Sequence, residues 1–151
     1  MTQPLHASSH TQSGAAPVSR IDSLTPFEAW WVRAIRLCDG EPDGVVQLAE
    51  DLTARFGAYR AERLLSRLGD LLGLIADHAR RPLMTHHETC GCVGSDEAVL
   101  TLFAQTATFG AREDAMMIAC LFLRPDVAPL AVSLAQSVGL DLDRGMRARM
   151  S

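Results

Sequence analysis

The sequence predicts an all-α fold, five to six helices packed as a bundle-like single domain. Three observations carry that expectation. Aromatic residues are only 5% of the chain while hydrophobic residues make up 48%, so the core is built from Leu, Ala, Val, Ile and Met, which suit packed helices better than a sheet. Apolar residues recur at steps of three and four through most of residues 24–140. Helix-start residues (Ser, Thr, Asp, Pro) and helix-stop glycines punctuate that repeat. A chain of 151 residues has room for one domain with a real core.

Residues 1–23 are polar, rich in Ser, Thr, Gln and His, and lack periodicity, so they are expected to form a disordered N-terminal arm. His6 and His10 lie in that arm, a poor scaffold for metal ligands. The first helix is announced by Thr25-Pro26-Phe27-Glu28, where Thr25 caps, Pro26 takes the first helical position and Glu28 completes a capping box. Phe27, Trp30, Trp31, Ala34, Ile35 and Cys38 then follow one helical face until Gly40. The two tryptophans suit a binding platform or the core, and their spacing is that of core. Cys38 reads as a small buried hydrophobe.

A second helix follows Pro42, with Val45, Leu48, Ala49, Leu52 and Phe56 inward and Gly57 as the stop. The third runs from about Tyr59 to Arg80, with a seam of Ala61, Leu64, Leu68, Leu71, Ile75 and His78. Gly69 and Gly73 interrupt it, each at a propensity cost of about 1 kcal/mol relative to Ala. The expected compensation is the close approach of another helix, from this chain or from a partner. Arg80 and Arg81 complement the helix dipole and Pro82 stops it.

Gly94-Ser95-Asp96-Glu97 marks the fourth helix, with Ser95 as cap, two acids in the first turn, and Val99, Leu102, Phe103 and Thr106 inward until Gly110. The fifth, near Arg112 to Leu123, is apolar on every side and reads as a central buried helix containing Cys120. Pro125 breaks the chain and Asp126 caps a sixth helix with Val127, Leu130, Leu134 and Val138 inward. Gly139 is expected to close it, leaving residues 141–151 as a frayed tail.

The formal net charge is -4 and there is no basic run, which argues against nucleic-acid binding. All 14 basic residues are Arg, read as a codon bias rather than a recognition surface. No stretch approaches the roughly 18 apolar residues needed to span a bilayer, so no membrane role is expected. The first twenty residues contain no apolar signal core, which points to the cytoplasm and to reduced thiols.

Chemistry concentrates in His86-His87-Glu88-Thr89-Cys90-Gly91-Cys92, a His/Cys loop in the junction (residues 81–94) between two helical halves. Imidazole and thiolate bind borderline and soft metals, and Gly91 permits backbone angles that turn both flanking sulfurs to one point. His86, Cys90 and Cys92 supply three ligands, with His87, His78 or Glu88 as the fourth. A mixed N/S set suits zinc best, with Cu(I) or an iron–sulfur cluster as alternatives. Cys-x-Cys is less typical of zinc than Cys-x-x-Cys. The same residues suit thiol redox chemistry, because neighbouring histidines and a helix start lower a thiol pKa. They also fit a polar loop with no joint role. No nucleophile elbow or Gly-rich phosphate loop is present, so catalysis is not expected. The sequence thus points to a small cytoplasmic helical protein that binds zinc through His86, His87, Cys90 and Cys92 in a regulatory or assembly role. Two alternatives stand beside it. One is a metal-free interaction module using the Gly69/Gly73 helix toward a protein partner or a second copy, and the other is a thiol redox sensor using Cys90 and Cys92.

Overall fold

A computed structural model describes residues 14–150. Six α-helices dominate it: α1 (Pro26–Asp39), α2 (Asp43–Phe56), α3 (Ala58–His78), α4 (Ser95–Phe109), α5 (Arg112–Ala119) and α6 (Ala128–Met150). Two short strands, β1 (Pro17–Arg20) and β2 (Cys92–Gly94), form one antiparallel ladder. The all-α expectation holds. One hydrophobic core draws buried residues from all six helices. No helix among the described residues is long and apolar enough to cross a membrane.

The start of α1 is as the sequence dictates. Thr25 Oγ1 accepts from the Glu28 N–H at 3.2 Å and Glu28 Oε2 accepts from the Thr25 N–H at 2.9 Å. Trp30 and Trp31 are both buried, 5.4 Å apart edge to face, and belong to the core. The α3 seam of Ala61, Leu64, Leu68, Leu71 and Ile75 is buried throughout, while His78 is only half-buried.

The centre of the bundle is α6, which packs on α3, α4 and α5. Its inward face is Ala128, Ala131, Val132, Ala135, Val138, Gly139, Leu142 and Gly145, small residues that let neighbouring backbones come close. This overturns three expectations. Gly139 does not end the helix: it is buried, and the space its side chain would fill is occupied by Thr108 of α4. Residues 141–150 are therefore helix rather than a frayed tail, with Asp141 and Leu142 buried and Phe56 seated against Gly145. Leu130 points outward because the inward stripe over this stretch runs through Ala128, Ala131, Val132 and Ala135.

The apolar fifth segment is not central. In α5 only Ala115 and Ala119 are buried, Met117 is 71% exposed, and the helix stops before Leu121, itself 69% exposed. The buried residues of that stretch, Phe122 and Leu123, lie in the following turn, where Phe122 O accepts from the Arg80 N–H at 3.0 Å. Cys38 and Cys120 are half-buried against the core rather than fully enclosed. In α4 the inward residues are Leu100, Phe103, Ala104 and Ala107. Leu102 is exposed, because the acidic first turn is itself drawn inward and fixes the helix rotation.

A side chain at Gly69 or Gly73 would meet nothing within 4 Å. Among the described residues no helix fills the notch; α6 packs on the seam instead, and the glycines floor an open cleft edged by Leu74, Leu130 and Leu134.

Of the expected disordered arm, residues 14–23 are ordered, whereas His6 and His10 lie outside the described residues. Pro17 pairs with Gly94, Ser19 with Val93 and Arg20 with Cys92, and Ile21–Ser23 forms a 3-10 turn. A polar segment becomes a strand here because its partner is already placed: Val93 is buried, and the Ser95 and Ile21 N–H groups donate to Ala16 O and Gly91 O. Residues 14–20 thus form a strap across the His/Cys loop.

Candidate functional site

The loop between α3 and β2 is held mainly from below by one arginine. Arg36 sits on α1 within an otherwise apolar face, its side chain 1% exposed, against Glu97 of α4 at 0%. All five guanidinium N–H groups are used. Nε and Nη2 donate to Glu97 Oε2 (2.7 Å) and Oε1 (2.9 Å). Nη1 donates to His87 O (3.2 Å) and Cys90 O (2.7 Å), and Nη2 also donates to Cys92 O (2.5 Å). The carboxylate is equally occupied, since Oε1 accepts from the Gly94 N–H at 3.0 Å and Oε2 from the His86 N–H at 3.3 Å. Gly94, not Ser95, is the N-cap residue, and Glu97 supplies its bond from the third helical position. A buried ion pair repays its desolvation only when its remaining hydrogen-bonding capacity is met. Here the loop backbone meets it, so the pair and the loop conformation enforce each other.

A second anchor lies at the start of the loop. Arg81 grips Asp96 bidentately at 2.7 and 2.8 Å, and the Met84 N–H donates to the same carboxylate at 2.8 Å. Burial pushes the Asp96 pKa up, but these bonds outweigh it and hold the carboxyl below its ordinary range. The side of the loop is tied by Thr85 Oγ1 donating to Asp39 at 2.7 Å and Gln47 donating to Glu88 at 3.3 Å.

Within this frame His86 Nδ1 stands 3.3 Å from Cys90 Sγ. The other ring nitrogen, Nε2, is 2.7 Å from Ala15 O in the strap. A carbonyl only accepts, so Nε2 carries a proton and Nδ1 is the nitrogen that shares one with the sulfur. Cys90 is held below the ordinary thiol value by the Cys92 backbone N–H first and His86 second, with the Arg36 charge adding to both. His86 is raised by the bond to Cys90 and then by Ala15 O, with the Glu97 carboxylate adding to this against the effect of burial. Both shifts favour a thiolate–imidazolium pair.

The four ligand candidates therefore divide. His86 and Cys90 meet. His87 turns outward, its Nδ1 3.0 Å from Thr89 Oγ1, and Cys92 contributes its backbone. Of the possible fourth ligands, His78 lies on α3 beside Arg124, and Glu88 faces Gln47. Among the described residues no group of three or more His, Cys, Asp or Glu side chains is gathered around a point where a metal ion would sit.

Beside the loop, α1, α3 and residues 79–85, with Leu100 of α4, border a half-open pocket of about 540 Å³ lined mostly by aliphatic side chains, with Cys38, Asp39 and Thr85 at its edge. Burial and then the neighbouring Asp39 charge push the Cys38 thiol up, so Cys38 is the inert counterpart of Cys90.

Arg36, Glu97, Arg81, Asp96 and Ala15 are the parts of the site that sequence reasoning did not find. The one signal available was Arg36 itself, a charge set between Ile35 and Leu37 on a core-facing stretch. Compared with family models, curated proteins and solved structures, the chain matches none.

Proposed function

We propose that the protein is a thiol redox sensor whose reactive group is Cys90. The observation that carries this reading is the approach of His86 Nδ1 to Cys90 Sγ at 3.3 Å on a loop pinned by Arg36. The thiolate is the nucleophile, and an adjacent imidazolium both stabilises it and supplies a proton to the leaving group. With a hydroperoxide as oxidant, Sγ attacks one peroxide oxygen and the O–O bond breaks. The departing oxygen takes the proton from His86 Nδ1, and Cys90 becomes a sulfenic acid. Attack of the Cys92 thiol on that sulfur, with loss of water, gives a disulfide closed over a single residue, a strained bond that a cellular dithiol reduces readily. The cytoplasm, where the resting state is reduced, is the compartment this reading assigns.

A zinc reading has two observations in its favour. Donation of Nε2–H to a backbone carbonyl is the usual outer-shell arrangement of a metal-bound histidine, and two ligands of one ion lie at a spacing like that of Nδ1 and Sγ here. It requires a fourth donor as well as Cys92 to turn inward, whereas the disulfide step requires Cys92 alone, which places zinc second.

One experiment separates the two. The rate of iodoacetamide alkylation is measured against pH for Cys90 and Cys92, with each site resolved by mass spectrometry, on metal-free protein and with equimolar zinc. The redox reading expects Cys90 to alkylate with a midpoint below the ordinary thiol value of about 8.5, to form a dimedone-trappable sulfenic acid with peroxide, and to be little protected by zinc. Full protection of both cysteines by zinc moves the assignment to metal. Ordinary alkylation of Cys90, unchanged in His86→Gln, removes both.

A further inference from the structure

At the opposite end of α3 from the loop, Asp141 collects four arginines, three at its carboxylate and one at its backbone carbonyl. Asp141 of α6 has its side chain 8% exposed. Its Oδ2 lies 3.1 Å from Arg67 and 3.4 Å from Arg63, and its Oδ1 lies 3.8 Å from Arg144. Its backbone oxygen accepts from Arg60 at 3.0 Å. Arg60, Arg63 and Arg67 share one face of α3, so three guanidinium groups are aligned on a single helix beside Arg144 of α6. Four positive charges face one negative charge, an excess of three on a chain whose net charge is -4. Arg147 and Asp143 neutralise each other alongside at 2.9 Å.

A buried carboxylate is satisfied by one or two arginines; holding three at it, with Arg60 beside them on the backbone carbonyl, costs mutual repulsion and needs another reason. The cluster is also reachable, because the side chains of Arg63, Arg67 and Arg144 are 40%, 37% and 67% exposed. Each guanidinium has five donors, and Asp141 engages only a few of them. The N-terminus of α3 adds to the positive field, since no side chain caps it and its first turn contains no acid.

We infer that this end of the bundle is a binding site for a phosphate monoester dianion, with Asp141 pre-positioning the arginines that grip it. Arginine suits this ligand because its planar fork presents paired donors to phosphoryl oxygens. A compact dianion fits the excess of three charges at one place. A long phosphodiester fits it poorly, because the net negative charge of the rest of the chain repels an extended polyanion.

The test is titration of the full-length protein with inorganic phosphate at constant ionic strength, chloride being the balancing anion, so that general screening is held fixed. Binding is read from the arginine Nε–Hε resonances and from the melting temperature. The expected result is saturable shifts for Arg63, Arg67 and Arg144 with a rise in Tm. Arg63→Gln/Arg144→Gln, which leaves Arg60 and Arg67 on Asp141, should bind at least about tenfold more weakly, the loss expected of one charge-assisted contact or more. Arg33→Gln, which removes an arginine paired with Asp51 at 2.6 Å elsewhere, should bind as the parent does. Equal shifts in the double variant and parent overturn the site, as does an equal response to chloride alone. Tighter binding of a short single-stranded oligonucleotide than of phosphate overturns the ligand class. The readouts are independent of Cys90, so they stand whether or not that centre is redox-active.

Discussion

Replacing Glu97 by Gln tests the argument that a buried ion pair holds the loop. The substitution keeps shape and removes the charge. One carboxylate oxygen becomes an NH2 group, and both oxygens now face two donors each: Arg36 with the Gly94 N–H on one side, Arg36 with the His86 N–H on the other. Whichever way the amide turns, two donors lose their acceptor, and the guanidinium, 1% exposed, keeps its charge without a counter-ion. Breaking a buried pair from one side costs about 3–5 kcal/mol. At roughly 2–4 °C per kcal/mol for a domain of this size, Tm should fall by about 6–20 °C. The assay is thermal and urea unfolding of both proteins, followed by circular dichroism. Arg36→Met/Glu97→Met removes both charges and should lose less than the sum of the two single variants, since no lone charge stays buried. A Glu97→Gln protein within about 1 kcal/mol of the parent would refute the reasoning, because an uncompensated buried guanidinium cannot be that cheap.

The remaining predictions probe other contacts. His86→Gln should move the alkylation midpoint of Cys90 upward, lowering its rate at neutral pH, measured by iodoacetamide kinetics. Asp96 has a folded-state pKa below its unfolded value. Its contribution to stability is therefore present above about pH 4 and lost as pH falls through the lowered value, and Arg81→Gln should flatten that part of a urea-stability profile against pH. Gly139→Ala should destabilise by roughly 1–3 kcal/mol, since its methyl meets Thr108, and Thr108→Ala should restore part of the loss in a double variant. Gly69→Ala, facing open space, should instead stabilise by up to about 1 kcal/mol, so the two glycine variants should melt on opposite sides of the parent.

What could be read from the sequence was local. Thr25, Pro26 and Glu28 declare a helix start because their bonds close within four residues, and the α3 seam declares itself because period and burial coincide. Gly139 and Gly69 look alike in sequence, yet one is packed against Thr108, 31 positions earlier, and the other faces open space. That difference belongs to the packing of whole helices. Residues 112–123 misled because an apolar run was read as one long helix, whereas Phe122 and Leu123 bury themselves from a turn. At the site, the four-residue spacing of His86 and Cys90 was legible, but the segment is not helical, and the two meet through the turn that the Cys90 N–H closes on His87 O. The outward turn of His87 comes from Thr89, and the role of Arg36 comes from Glu97, 61 positions away. A charge in a first turn is read as facing water, and nothing in the local pattern of Asp96 and Glu97 announces that a loop will close over them.

The strap of residues 14–20 lies 71 positions from the histidine it holds, and Arg36 lies 54 from the Cys90 carbonyl. Helical turns close over a few residues and form early; contacts of this span pay their loop-closure entropy before they are rewarded. The bonds nearest the thiol, from the Cys92 N–H and His86, span two and four residues. The share of its lowered pKa that rests on the strap's hold on His86 and on the Arg36 charge should come only near the end of folding, and go on the first partial opening that frees the strap. An unfinished or damaged chain would carry a less activated cysteine. On the proposed redox reading, full reactivity at Cys90 would in this sense report that the whole molecule has been assembled.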